Sequence, residues 1–345
     1  MPVIFLGDVA LDQPSQSDIS FDHELVIANL EGAIIEQDRR SDRVVYNCPE
    51  TISFLKKTGV NAVTLANNHI YDVGQDLGET FKSLEEMDIL YTGAGSSVDQ
   101  ACKPLAKTVD GKDVVVFGAG WSVIGCPKAS KNRGGVAPLN PNLLFKLLEQ
   151  TLTENENSKV IFFLHWNYEL ELYPQPAHRQ LAFELIKRGA AAVIGAHSHC
   201  VQGIETVGDG VIVHGLGNWM FPHGRYFNGK LKFPDFAREQ MAFQFDVLNK
   251  DHQVLWYDFD QNNDIIYKHS TGLDSDRIAE LTPFQGMDSS EYLSWFRKNR
   301  RKKKLLPVYV DYRHVFRNFL KDKFVLGRQI ILDKAVEFGL KGAPK

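Results

Sequence analysis

Cysteine is scarce in this chain: four in 345 residues (Cys48, Cys102, Cys126 and Cys200), none in a CxxC pair. That spacing indicates neither a zinc ribbon nor a disulfide framework, and the scarcity suits a reducing compartment. No run of about 20 apolar residues occurs, so no membrane-spanning helix is expected. No charged leader with an apolar stretch and cleavage site precedes "VIFLGD" (3–8), so a cytoplasmic location is expected. Internal repeats are absent too. Net charge is small, −4 overall, but unevenly spread: from Glu291 onward 15 Lys+Arg face 5 Asp+Glu, leaving 24 against 38 in the rest. An acidic body with a basic tail implies separate jobs for the two parts.

Hydrophobic content of 43% and charged content of 24% are ordinary for a globular protein. Short apolar runs bounded by glycine or polar clusters recur: "VIFLGD" (3–8), "LVIANLEG" (25–32), "VNAVTLANNH" (60–69), "DILYTGAG" (88–95), "DVVVFGAG" (113–120), "KVIFFLHW" (159–166), "AAAVIGAHSH" (190–199) and "GVIVHGLGN" (210–218). Several are continuous β-branched runs, as expected of strands covered on both faces. Helical spacing lies between them, around Ile52–Leu55, over 74–87, 140–152 and 177–189, the last ending at the stop signal Gly189. Strand and helix in alternation predict a layered α/β fold. Beyond Gln240, "QMAFQFDVL" and "HQVLWYDFD" alternate apolar and polar, which predicts an antiparallel hairpin with one wet face. Residues 291–345 read as helical and basic, with "RKNRRKKK" at 297–304.

The strands end alike. The first closes in Gly7-Asp8, the second in Asn29-Leu30-Glu31, the third in Asn67-Asn68-His69, and two later ones in His165-Trp166 and His197-Ser198-His199. Ligands of open α/β sheets sit off the carboxyl ends of strands. Carboxylate, amide oxygen and imidazole together suit borderline divalent cations, Mn, Fe or Zn, and thiolate is missing. Asp8, Glu31, Asn68, His165, His197 and His199 are therefore the candidate ligands for one or two ions. Glu31 has two oxygens with which to bridge a pair. His69 is left free to protonate a leaving group. Asn67 either holds the turn, the common use of asparagine there, or contacts substrate. Trp166, with Trp219 and Phe221, is expected either to line a substrate groove or to fill core.

The order Gly-Asp, Asn-Leu-Glu, Asn-Asn-His, His-Trp, Gly-x-His-x-His and "GLGNWMF" resembles the CapA family of capsule and poly-γ-glutamate biosynthesis proteins, over roughly residues 1–250. The resemblance implies a calcineurin-like metallophosphoesterase sandwich of α-β-β-α layers. It places Asp8, Glu31, Asn68, His165, His197 and His199 at the metals and His69 as the catalytic imidazole. It also draws in Glu169, as a second acid/base, a substrate contact or a solvated loop charge, and Asn218 as a substrate contact. Two positions depart from the phosphoesterase pattern: Ala10 stands where a histidine is usual, and Glu31 where an aspartate is. The organisation implied is a CapA-like domain over residues 1–265 and a basic, mostly helical extension over 266–345, packed on the domain or docking from it.

Two functions follow. In the first, a hydrolase of capsule, exopolysaccharide or poly-γ-glutamate biosynthesis uses metal-activated hydroxide to attack a phosphate ester or amide. In the second, a non-catalytic accessory protein of a synthesis or export complex binds anionic polymer at the same site. Through Arg297, Arg300, Arg301 and Lys302–Lys304 the tail is expected to meet an acidic membrane surface, peripheral to the inner membrane, or a capsule-assembly partner. No recognised motif accompanies the charge, which argues against nucleic acid.

Overall fold

Strands with apolar residues on both faces need cover on both faces, and the chain supplies it by stacking two sheets and flanking them with helices. The computed structural model describes residues 2–36, 44–74, 76–260, 264–301 and 305–337. The first sheet runs, edge to edge, Ile265–Gly272, Gln253–Phe259, Gln240–Phe245, Val3–Val9, Val26–Leu30, Ala62–Thr64 and Leu90–Thr92, with Asn218–Met220 also paired to Val3–Val9. The second runs Ile204–Val207, Gly210–Val213, Ala192–Ala196, Lys159–His165, Lys112–Gly120 and Leu105–Val109. Facing side chains such as Phe5, Ile27, Val116, Phe163 and Ile194 form the core between the sheets. Phe5 and Phe163 meet edge to face with ring centroids 5.8 Å apart.

The helices cover the outer faces. Thr51–Lys57 and Gly78–Glu86 bury Phe54, Leu55 and Leu84 against the first sheet. Pro141–Glu154 and Pro176–Lys187 bury Leu144, Leu148, Leu181 and Leu185 against the second. The layers are therefore α-β-β-α, as expected.

The hairpin departs from expectation. Gln240–Phe245 is antiparallel to Gln253–Phe259, but nearly every residue of the first strand is buried. Its alternation separates two cores, with Met241 and Phe243 facing the second sheet and Ala242 the outer helices. The wet strand is Ile265–Gly272, at the sheet edge. Residue 265, where the CapA-like domain is expected to end, is the first residue of this edge strand.

The C-terminal extension is packed on the body. Ser289–Asn299 starts with a capping box, Asp288 accepting from Glu291 N and Glu291 accepting from Asp288 N. It seats Tyr292 and Phe296 beside Phe284. Under it lies a buried ion pair: Arg179 Nε and Nη2 donate to Glu205 at 2.8 and 2.6 Å. Arg179 also donates to the Met287 carbonyl at 3.1 Å and lies over the Phe183 and Tyr292 rings at 4.5 and 4.6 Å. Arg300, expected in the basic docking run, is instead buried and donates to the Leu306 carbonyl at 3.1 Å. Arg297 and Arg301 are exposed, and Lys302–Lys304 lie outside the described residues.

Candidate metal centre

Parallel pairing fixes which side chains meet. In the first sheet Asp8 stands beside Asn29 of one neighbouring strand and Asn218 of the other. In the second, His165 pairs with Ala196, so His197 and His199 follow immediately beyond. Both ladders end at the same sandwich edge. The register slips next to Asp8 on both sides, a device that re-aims side chains near sites. Gly7 permits the approach, since a Cβ there would run into the Gly217 carbonyl. His197 and His199 have φ of 86° and 52°. Left-handed backbone on bulky residues costs on the order of 1–3 kcal/mol each and clusters at functional sites.

A continuous set of contacts joins the sequence candidates. His199 Nδ1 lies 3.2 Å from Asp8 Oδ2, and its Nε2 lies 3.8 Å from Glu31 Oε1. His69 Nε2 is 3.8 Å from the same Glu31 oxygen. His165 Nε2 is 2.7 Å from Asn68 Oδ1, and the His165 and His197 ring centroids are 4.7 Å apart. One ligand atom each of Glu31, His197 and His199 lies within 4.8 Å of the others. Asp8 and Glu31 are fully buried, and His165, His197 and His199 nearly so. Both Glu31 oxygens, with His165 Nδ1 and His197 Nδ1, have no hydrogen-bond partner. Buried carboxylate oxygens without partners are costly, and a divalent cation is the partner this donor set fits.

The electrostatics agree. Burial pushes the Glu31 carboxyl up to about 8, helped by the Asp8 charge. Burial works against the His199 imidazolium, yet Glu31 and Asp8 raise it to about 10. Asp8 is held low despite its burial by the His199 hydrogen bond and charge. Burial drops His165 to about 3 and pushes His197 well down, which keeps both imidazoles neutral, as ligation requires. A proton on His199 supplies part of the positive charge this cluster calls for.

The other candidates separate by use. Asn67 is fully buried: its oxygen accepts from Gly32 N and His69 N at 3.2 Å each, and its amide donates to the Leu30 carbonyl at 2.7 Å. Its polar atoms are engaged in the turn. Asn67→Ala is therefore expected to lower unfolding free energy by about 1–3 kcal/mol, read as a shifted urea midpoint at unchanged slope. Trp166 is core, fully buried, donating to the His214 carbonyl at 3.0 Å and stacked on His178. Trp219 and Phe221 are buried too, each in a different apolar cluster. Asn218 is fully buried, with its Oδ1 2.8 Å from His199 Nδ1. Glu169 lies at the exposed rim, where its charge reaches Glu31, His69 and His199.

Two partners escaped the sequence reading. Asp72 Oδ2 holds His69 Nδ1 at 2.6 Å, and Asn29 donates to Asp8 Oδ1 at 2.8 Å. The three-residue spacing of His69 and Asp72 across a turn was the available signal for the first. Ala10, the departure from the phosphoesterase pattern, is buried in an apolar cluster with Phe221, Tyr226 and Phe233.

Residues 15–223 match the family described as bacterial capsule synthesis protein PGA_cap. The chain belongs to this family. Among curated relatives, the capsule biosynthesis protein CapA of Bacillus anthracis is 27% identical over 210 residues, 58% of this chain and 51% of that protein. The PGA biosynthesis protein CapA of Bacillus subtilis (strain 168) is 27% identical over 213 residues, 58% and 54% respectively. This chain spans about half the length of the curated relatives it matches. A 5'-nucleotidase precursor from Thermus thermophilus aligns over 79% of this chain and 54% of its own, at 13% identity and a TM-score of 0.44.

Proposed function

We propose that this PGA_cap protein is a metal-dependent hydrolase acting on an anionic capsule-type polymer or its precursors, at a phosphate ester or a γ-glutamyl amide. One observation carries the reading: a fully buried carboxylate, Glu31, has two unpartnered oxygens beside His197 and His199, with a second kind of imidazole, His69, facing it. Glu31, His197 and His199 would hold a Mn, Fe or Zn ion, with Asp8, Asn68 and His165 on the flanks. When bound, such a cation activates water and neutralises charge developing on the substrate oxygen.

The remaining work falls to side chains. His69 is partly exposed, at 20%, while its ring is fixed by Asp72. Burial opposes its protonation, but the Asp72 hydrogen bond and the Glu31 charge outweigh that and raise its pKa. A protonated Nε2 donates to the leaving oxygen or nitrogen, and Asp72 keeps Nδ1 engaged throughout. Asn218 and Asp8 hold His199 Nδ1, so that Nε2 faces the Glu31 side. Glu169, at the exposed rim, would orient substrate.

A second reading, an accessory protein that binds polymer without turnover, draws on Ala10: the usual imidazole is replaced by apolar packing. Metal analysis followed by turnover assays on phosphate esters and γ-glutamyl peptides separates the two. Glu31→Gln tests the first. Wild type gains about 2.7 kcal/mol of stability at a cation concentration a hundredfold above Kd, seen as a rise in melting temperature, and the variant gains none. An equal gain in both would remove Glu31 from the metal.

A further inference from the structure

The helix Val315–Glu337 is fastened to the body along one side only. Val325 is buried in the apolar layer over the second sheet. Asp322 accepts from the Tyr309 hydroxyl at 2.8 Å, and Lys321 Nζ donates to the Val308 carbonyl at 2.8 Å. The opposite side carries Phe316, Phe319, Leu320, Phe324, Ile330 and Ile331, each 50% to 72% exposed. At about 100° per residue these six fall within an arc of roughly 140°. Lys323 and Lys334 are exposed on that arc, and Arg317 and Arg328 border it.

A water-facing surface rarely leaves so much contiguous apolar area without a partner. Charge selects the partner. The chain from Glu291 onward carries 15 Lys+Arg against 5 Asp+Glu, so a second copy would bring like charge to like, whereas an anionic bilayer brings the opposite sign. No described helix is long and apolar enough to cross a membrane. Apolar and aromatic residues bordered by arginines, with lysines long enough to snorkel from the same arc, are the composition of a helix that lies in the interfacial plane.

We infer that Val315–Glu337 is an interfacial anchor, its apolar arc set into the acyl boundary of an anionic membrane and its lysines and arginines against the headgroups. This goes beyond the reading of the metal centre. The helix packs on the turn Ser122–Ile124, whose next residue, Gly125, lies beside Asn68, so the anchor adjoins the sheet edge that bears the site.

Cosedimentation of the full chain with vesicles tests it, using phosphatidylcholine mixed with phosphatidylglycerol against phosphatidylcholine alone. The expected result is binding to the anionic vesicles that weakens with salt. A Phe316→Ser/Phe319→Ser/Phe324→Ser variant is expected to lower the partition coefficient at least about tenfold. Ile330→Ser/Ile331→Ser, on the same arc, provides an independent variant with the same direction of change. Absence of binding, binding equal on neutral vesicles, or binding unchanged in both variants would overturn the inference. A dimer in solution that the triple substitution converts to monomer, with no vesicle binding, would assign the face to a second copy instead.

Discussion

Replacing His69 with alanine is expected to lower kcat by about 10²- to 10⁴-fold, the usual contribution of a positioned general acid, while metal content stays unchanged. Two features separate this imidazole from its neighbours. His165, His197 and His199 are buried, and burial keeps the first two neutral. His69 is partly open to solvent and is locked by Asp72 at 2.6 Å. His165 and His197 suit ligation, which needs a lone pair, and His199 would give up its proton to a cation; His69, open to solvent, suits donation, which needs a proton. Asp72→Asn keeps the metal and lowers kcat less, because the ring remains but its orientation and charge support weaken. Parallel metal analysis and steady-state kinetics on a phosphate ester or γ-glutamyl peptide decide the matter. Loss of metal in His69→Ala would make it a ligand, and undiminished kcat would deny it the acid role.

The second large effect lies far from the metal edge. Arg179→Leu leaves Glu205, 3% exposed, without its bidentate partner, and an unpaired buried charge costs about 3–5 kcal/mol. The same group makes a pH signature. Burial opposes ionisation of Glu205, but hydrogen bonds from Arg179 and His214 hold its carboxyl below the ordinary range. Its contribution is therefore complete above the unfolded carboxylate pKa, about 4.3, and lost as pH falls through the lower folded value. His214, 2.9 Å from Glu205, is pushed down by burial, so the unfolded chain takes up its proton first, below about pH 6.5. Both groups make stability fall with pH in the acid range. Urea unfolding from pH 7 to pH 3 is expected to show a declining midpoint. Glu205→Gln starts lower and declines less steeply at the acid end. Equal slopes for variant and wild type would dissociate Glu205 from that behaviour.

The convergence of Asp8, Glu31, Asn68, His69, His165, His197 and His199 was readable because it follows from one rule: doubly covered strands are apolar along their length, so polar groups that interrupt them do so at the ends. The α-β-β-α layering was readable for the same reason. What the sequence hid is orientation. Asn67 and Asn68 are adjacent and chemically identical, yet one turns inward to tie Gly32 and Leu30 while the other faces His165. Trp166 follows a candidate ligand but points to the opposite side of the strand, into the outer core. Arg300 is buried where it turns back to the Leu306 carbonyl, near Glu171 and Tyr168, a seat that charge runs in the sequence do not report. Alternation in Gln240–Phe245 resembled a wet face because two separate apolar cores look, residue by residue, like one core and solvent.

The central claim is that strand ends distant in sequence hold a divalent cation together. A crystal grown with manganese and measured at the Mn absorption edge tests it directly. The expected result is an anomalous peak within about 2.3 Å of a Glu31 oxygen and a nitrogen each of His197 and His199, lost in Glu31→Gln. No peak at that position, with the protein otherwise well ordered at saturating manganese, would contradict it.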